Sequence, residues 1–236
     1  MANIIITGAS SGIGFEAVLD LTANKNNTVI ALARSADKLR KLHEIASSLN
    51  HDGGKLYPAQ FDIVYDDYPN SLVPFIQSKM EHVDILINNA GALIYKPFLE
   101  SSTEDFAQMF QSNLLGHVNM IKHVAPLMTK GGHIVNISSM GGFQGSAKFP
   151  GLAAYSSSKG ALAILTECLA EEFKDKNIQV NCLALGSSQT EMFEAAFPDL
   201  QAGTLAFEMG RYVAEFAQNA NKFYNGKVLP VANTTP

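Results

Sequence analysis

Tyr155 and Lys159 stand four residues apart in the stretch YSSSK (155–159), a spacing that sets both on one face of a helix. A free phenol loses its proton near pH 10, so tyrosine alone is a poor acid or base at neutral pH. An ammonium one turn away would favour the phenolate and bring the phenol's proton within reach of the working pH. The plainer alternative is an exposed helix face on which the two residues are only neighbours. Taken alone the pair favours the plainer reading, because such spacings arise often by chance; the remainder of the chain has to decide.

A second stretch, TGASSGIG (7–14), follows an apolar run and opens a helical pattern. Glycines at 8, 12 and 14 permit a tight turn, close approach of backbone to a pyrophosphate and close packing of helix on strand. Backbone N–H groups and the helix N-terminus then face negative charge, and Gly8, Ser10, Ser11, Gly12, Ile13 and Gly14 are the expected cofactor contacts. No GK[ST] closes the stretch, which excludes the phosphate loop of nucleotide triphosphatases. The next apolar run ends in LARS (32–35). An acidic residue at that point would accept the adenosine ribose hydroxyls and exclude a 2′-phosphate. Ala33 is there instead, and Arg34, whose guanidinium suits a phosphate, follows it; NADP(H) is the expected cofactor, with NAD(H) still possible.

With its GxxxGxG spacing and YSSSK pair the chain resembles the short-chain dehydrogenase/reductase family, in its single-domain branch. Four further stretches match that pattern in order: FDI (61–63), NNAG (88–91), SNLLG (112–116) and NISSMGG (136–142). The resemblance implies that Asp62 and Ile63 lie at the adenine and that Asn89, Ala90 and Gly91 lie along the cofactor ribose. It also implies a catalytic set of Asn113, Ser139, Tyr155 and Lys159. Hydride would pass between nicotinamide and a carbonyl carbon while Tyr155 exchanges a proton with the oxygen. Lys159 and the charge of oxidised nicotinamide would favour the phenolate, and Lys159 would also hold the nicotinamide ribose. Ser139 would steady the substrate oxygen, and Asn113 would anchor a water leading from Lys159 to solvent. Taken singly, Asn113 could be a helix kink residue, Ser139 a strand-end cap and Asp62 a helix N-cap.

Three departures from the family pattern stand out. About three extra residues lie between Ser139 and Tyr155, around GSAK (145–148). The turn after the sixth strand reads LGSSQT (185–190) without the usual Pro-Gly, while Gly186, Ser188 and Thr190 remain as expected contacts to the carboxamide and phosphates. The C-terminus reads VANTTP (231–236) where relatives end near a Gly-Gly pair. Ser11 also occupies a turn position at which many NADPH-using relatives carry a second basic residue.

These side chains need a scaffold, and the hydropathy pattern supplies one. Apolar runs at 3–7, 28–33, 55–61, 83–88, 133–138, 178–185 and 227–231 alternate with helical periods at 13–24, 36–49, 66–81, 103–128, 153–175 and 204–223. Several runs are apolar on both faces, as a helix-covered parallel sheet requires. Such alternation reads as a doubly wound, Rossmann-type α/β fold with a parallel sheet of about seven strands and helices on both faces. No linker or repeat divides residues 1–236, so one domain is expected. In 103–128, Phe106, Phe110, Leu114, Val118 and Ile121 form an apolar row that Met109, Met120 and Val124 widen. Helices 103–128 and 153–175 are therefore expected to face both the sheet and a partner subunit, in a homodimer or homotetramer.

Composition excludes other classes. The net charge is −5, with 17 basic and 22 acidic side chains and no basic stripe, so nucleic acid is not an expected partner. No apolar run approaches a membrane span, no targeting segment is visible, and a cytoplasmic location follows. Six scattered histidines and two cysteines match no metal spacing; the cysteines read as buried reduced thiols. Met192, Phe193, Phe197 and Phe207 could line an apolar pocket for a small or medium, mainly uncharged carbonyl or alcohol, or could be ordinary packing residues. The rival reading is a catalytically silent NADP(H)-binding regulator on the same fold.

Overall fold

The computed structural model describes residues 2–50 and 52–233. Its elements run β1 (Asn3–Thr7), α1 (Gly12–Ala23), β2 (Thr28–Ala33), α2 (Ala36–Leu49), β3 (Lys55–Gln60), α3 (Val73–Lys79), β4 (Val83–Asn88), α4 (Thr103–Phe110), α5 (Gly116–Val124) and β5 (Met128–Ser139). They continue with α6 (Ala153–Glu172), β6 (Gln179–Leu185), β7 (Ser188–Gln189), α7 (Glu191–Ala196), β8 (Thr204–Leu205), α8 (Ala206–Asn219) and β9 (Val228–Val231). Seven strands form one parallel sheet in the order β3-β2-β1-β4-β5-β6-β9. This is the doubly wound architecture expected from the alternating pattern.

Strand sequence explains the layering. In β1, Ile4, Ile5 and Ile6 are all fully buried, because successive side chains enter opposite layers that are both covered by helices. Ile5 lies beside Ile30 of β2 and Leu86 of β4, within a layer closed by Ile76, Met120, Ile121 and Val124. Ile4 and Ile6 point the other way, into a layer closed by Val18 and Leu21 of α1, Leu42 of α2 and Val213 of α8. Each such isoleucine contributes about 2 kcal/mol by leaving water. The strand order reverses between β1 and β4, so the C-terminal ends of these strands diverge and open a crevice.

The expected helix 103–128 is divided. A π-helical turn, Gln111–Leu115, separates α4 from α5 and carries Asn113, so the kink reading of that residue holds. A second π turn, Tyr68–Leu72, replaces the start of the expected 66–81 helix, where Pro69 and the Asp67 cap interrupt the regular ladder. The parallel β7–β8 pair and α7 were not legible as elements. Cys182 is buried as expected, but Cys168 is exposed; it belongs to the outward stripe of α6 that also leaves Ile164 open. Of VANTTP, the last three residues lie outside the described residues, as does His51. No described helix is long and apolar enough to cross a membrane.

His133 fastens β5 to its neighbours. Its Nδ1 lies 2.9 Å from the Ala217 carbonyl, so Nδ1 carries the proton, and Asn181 Nδ2 donates to Nε2 at 3.0 Å. Burial pulls its pKa from 6.5 to about 4. The unfolded chain therefore takes up a proton first as pH falls. The neutral ring supports the fold fully above pH 6.5, and about 3 kcal/mol of that support is lost between pH 6.5 and 4. Urea unfolding at pH 7 and pH 4.5 is expected to show this loss, and His133→Gln, although less stable at pH 7, is expected to lose less over the same interval.

Candidate active site

At the carboxyl end of β1 the chain turns through Gly8 and Gly12 at φ +68° and +55°, a region glycine enters without strain. A Cβ on Gly8 would stand 2.7 Å from Ala90 Cα, and one on Gly14 would stand 2.3 Å from Asn89 Nδ2 and 2.4 Å from the Gly8 carbonyl. The Thr7 hydroxyl accepts from the N–H groups of Asn89 and Ala90, both at 3.0 Å, while Asn89 Nδ2 donates to the Thr7 carbonyl at 3.0 Å. The two walls of the crevice are thus tied directly together. Ser11 is the N-cap of α1 but makes no capping bond, and the first turn contains no acid. Its first N–H groups remain available to an anion. Ser10, Ser11, Gly12 and Ile13 keep part of their surface open to the crevice. A cradle without side chains and an uncapped helix end fit a dinucleotide pyrophosphate.

The adenosine side follows from the ends of β2 and β3. Arg34 is exposed just beyond Ala33, and Gln60 Nε2 donates to its carbonyl at 3.0 Å. Asp62 lies after β3, and its Oδ1 accepts from Val64 N–H at 2.9 Å, so it caps a turn. Ile63 is buried, with its Cδ1 pressed toward Gly116.

The catalytic candidates converge from β5, the π turn and α6. Lys159 is 4% exposed, and its Nζ donates to the Ile137 carbonyl at 2.8 Å. Ser138 Oγ donates to the Lys159 carbonyl at 2.8 Å, joining strand to helix. Asn113 is fully buried. Its Oδ1 accepts from Ala92 N–H at 2.8 Å, and its Nδ2 donates to the Ala92 carbonyl and to Ser158 Oγ, both at 3.0 Å. Its side chain therefore clamps the loop after β4 to α6. Gly91 fills the angle between them: a Cβ there would lie 3.1 Å from Asn113 Oδ1 and 3.4 Å from Lys159 Nζ. Ser139 Oγ accepts from Gly141 N–H at 3.1 Å, so it is a strand-end cap and faces Tyr155 too.

Electrostatics here depart from the expectation built on YSSSK. Burial raises the Tyr155 pKa above 10, and only the Ser139 side chain opposes it. Burial lowers Lys159 from 10.5 to about 8. The ammonium points at Ile137 rather than at the phenol, so desolvation outweighs its attraction for a phenolate. His117, on α5 one turn beyond Asn113, is wholly buried with both ring nitrogens unpartnered. Burial and the Lys159 charge hold it neutral, with a pKa of about 3.

Beyond β6, Gly186 N–H donates to the Val231 carbonyl at 2.8 Å, and Ser188 is buried with its hydroxyl unpartnered. Thr190 caps α7 by accepting from Phe193 N–H at 3.2 Å, and its methyl lies against Gly12. Phe197 meets Tyr95 edge-on at 5.1 Å between centroids and Phe193 at 5.3 Å, which makes one wall of the crevice aromatic. Met192 and Phe207 are exposed. The extra loop before Tyr155 is fastened by Lys148, whose Nζ donates to the Phe143 and Ser146 carbonyls. Sequence reading passed over Ser158, Ala92 and Tyr95; of these only Ser158 carried a signal, its place one helical turn after Tyr155. Among the described residues no group of three or more His, Cys, Asp or Glu side chains is placed to hold a metal ion.

A crevice at the strand ends, a glycine cradle and a cluster of half-buried Ser139 and Tyr155 with buried Lys159 are the features of one class of nucleotide-dependent oxidoreductase. The chain belongs to the short-chain dehydrogenase family, whose model, described as short chain dehydrogenase, matches residues 2–201. It is 36% identical over 194 residues to an uncharacterized oxidoreductase of Staphylococcus saprophyticus, covering 80% of this chain and 75% of that one. A 7α-hydroxysteroid dehydrogenase solved with NADH and 7-oxo glycochenodeoxycholic acid superposes with a TM-score of 0.87 at 26% identity, covering 99% and 94% of the two chains. A short chain dehydrogenase of Shigella flexneri, solved with NADP, gives 0.85 at 25% identity, covering 97% and 96%. The chain is accordingly an oxidoreductase that transfers hydride between a nicotinamide cofactor and a carbonyl or alcohol.

Gly14 tests the cradle without any ligand. Gly14→Ala places a methyl on the Asn89 amide and the Gly8 carbonyl, both held by hydrogen bonds. A stability loss of about 2 kcal/mol is expected in urea unfolding, accompanied by at least tenfold weaker nucleotide binding.

Proposed function

We propose that the chain, as one catalytic unit, is an NADP(H)-dependent reductase or dehydrogenase of small or medium, mainly uncharged carbonyls and secondary alcohols. The observation that carries this is the convergence of Ser139, Tyr155 and Lys159 on the strand ends beside the glycine cradle. Bound nicotinamide supplies or accepts the hydride. Tyr155, holding its proton because of burial, gives that proton to a carbonyl oxygen as negative charge builds there. Ser139 donates a hydrogen bond to the same oxygen and fixes its position. Lys159, mostly protonated at pH 7 with a pKa of about 8, would hold the nicotinamide ribose, and its charge favours the phenolate as Tyr155 gives up its proton. Asn113 keeps α6 in register with the loop along the cofactor.

NADP(H) is preferred because β2 ends in Ala33 rather than in an acid and Arg34 is exposed beside it. Gly8, Ser10, Ser11, Gly12, Ile13 and Gly14 take the pyrophosphate, Asp62 and Ile63 the adenine, and Asn89, Ala90 and Gly91 the ribose. Gly186, Ser188 and Thr190 take the carboxamide end. Ile164 and Leu115, 60% and 44% exposed on the outer faces of α6 and the π turn, support a homodimer or homotetramer in the cytoplasm.

A panel of ketones with NADPH and with NADH, followed by nucleotide fluorescence, tests this reading. Turnover with NADPH above NADH is expected. Tyr155→Phe is expected to lower kcat about 10³-fold with nucleotide affinity kept; turnover retained in that variant removes Tyr155 from the chemistry. Nucleotide binding with no turnover on any ketone would point to the silent regulator.

A further inference from the structure

An ion pair crosses the mouth of the nucleotide crevice. Lys38 lies in the first turn of α2, and the cap Ser35 accepts its N–H at 3.3 Å. Its Nζ reaches Glu191 Oε2, the first residue of α7, at 2.5 Å. These residues are 153 positions apart in sequence. Glu191 directly follows Thr190, whose methyl lies against Gly12 of the phosphate turn. The ammonium therefore stands between the β2 end, marked by Arg34, and the N-terminus of α1, which is the span an adenosine ribose must occupy.

Neither partner is fully desolvated: Lys38 is 48% and Glu191 68% exposed by side chain. Water and salt weaken such a pair, so it adds little to stability. The acid has another consequence. A carboxylate at this point repels an arriving 2′-phosphate unless a cation stands between them. A phosphate monoester carries nearly two charges and three acceptor oxygens near pH 7, so it competes successfully for an ammonium that a single exposed carboxylate holds loosely. Arg40, the next basic residue of α2, pairs within its own helix, with Asp37 at 3.1 Å.

On the reading that NADP(H) is the cofactor, we propose that Lys38 is a specificity-determining residue: it is the second cation for the 2′-phosphate, beside Arg34, and Glu191 competes with that phosphate for it. The basic partner that Ser11 does not supply then comes from α2. NADP(H) draws Lys38 off Glu191 and frees the first turn of α7 from α2, whereas NAD(H), lacking the phosphate, leaves the pair closed.

Calorimetric titration with NADPH and NADH, which needs no substrate, decides the matter. Lys38→Ala is expected to weaken NADPH about tenfold, equivalent to a single charge-assisted contact, and to change NADH less than twofold; Lys38→Arg is expected to restore most of the loss. Glu191→Gln is expected to tighten NADPH about threefold and to have no such effect in the Lys38→Ala background. Arg34→Ala serves as the reference for the 2′-phosphate pocket. If Arg34→Ala discriminates between the nucleotides and Lys38→Ala does not, or if Lys38→Ala weakens both equally, the role of Lys38 is overturned while the NADP(H) reading stands. If the unaltered protein binds NADH more tightly than NADPH, the cofactor reading itself fails.

Discussion

A buried ammonium governs the architecture around the crevice. Lys159 has one protein acceptor, the Ile137 carbonyl, and hardly any water. Burying a cation with so little compensation is costly, and the drop of its pKa to about 8 expresses that cost. The neighbouring structure is built to keep it there. Ser138 grips the Lys159 carbonyl, and Gly142 lets the turn after β5 touch α6: a Cβ on it would stand 2.5 Å from Gly160 N. His117 must stay neutral beside the charge. A shifted α6 would leave the ammonium facing apolar atoms, so the helix that carries Tyr155 has little freedom to move.

That constraint explains why the simple electrostatic reading of YSSSK was incomplete. Helical spacing places a cation near a phenol, but it does not say where the cation points or how dry the phenol is. Both depend on β5, whose carbonyl captures the ammonium and whose Ser139 faces the ring. The phenol accordingly begins as an acid that holds its proton. Such a group suits donation to a carbonyl oxygen, with Ser139 and the nearby ammonium favouring the phenolate as the transfer proceeds. The protonation state from which Tyr155 starts is thus tied to burial as much as to the Tyr–Lys pair.

Strands and cradle were legible because their signals are local. Three consecutive isoleucines in β1 admit little besides a strand covered on both faces, and a glycine at φ +68° is marked by its own residue type. Asn113 was legible by position but not in detail. A π turn arises when one extra residue is accommodated in a helix, and here the inducement is tertiary: Ala92 and Ser158 pull the amide inward from both sides. The short β7–β8 pair failed to register for a similar reason. Two-residue strands have no periodicity, and Ser188 pairs with Thr204 across a separation that no local pattern marks. Cys168 was misplaced because the buried reading rested on the number and spacing of the cysteines, which do not say which face of a helix a residue takes, and α6 turns Cys168 onto its open stripe.

The same nonlocal contacts make α7 part of both halves of the site. Thr190 joins it to the phosphate turn, and Phe193 and Phe197 join it to Tyr95. Gln189 ties α7 to the loop that follows it, donating to Glu194 at 2.8 Å and accepting from Ala202 N–H at 2.9 Å. A rigid body held in this way cannot shift at the nucleotide without moving the aromatic wall on the substrate side. Glu191 is the member of this set that is tied through an exposed ion pair rather than through packing, and exposed pairs exchange partners at low cost.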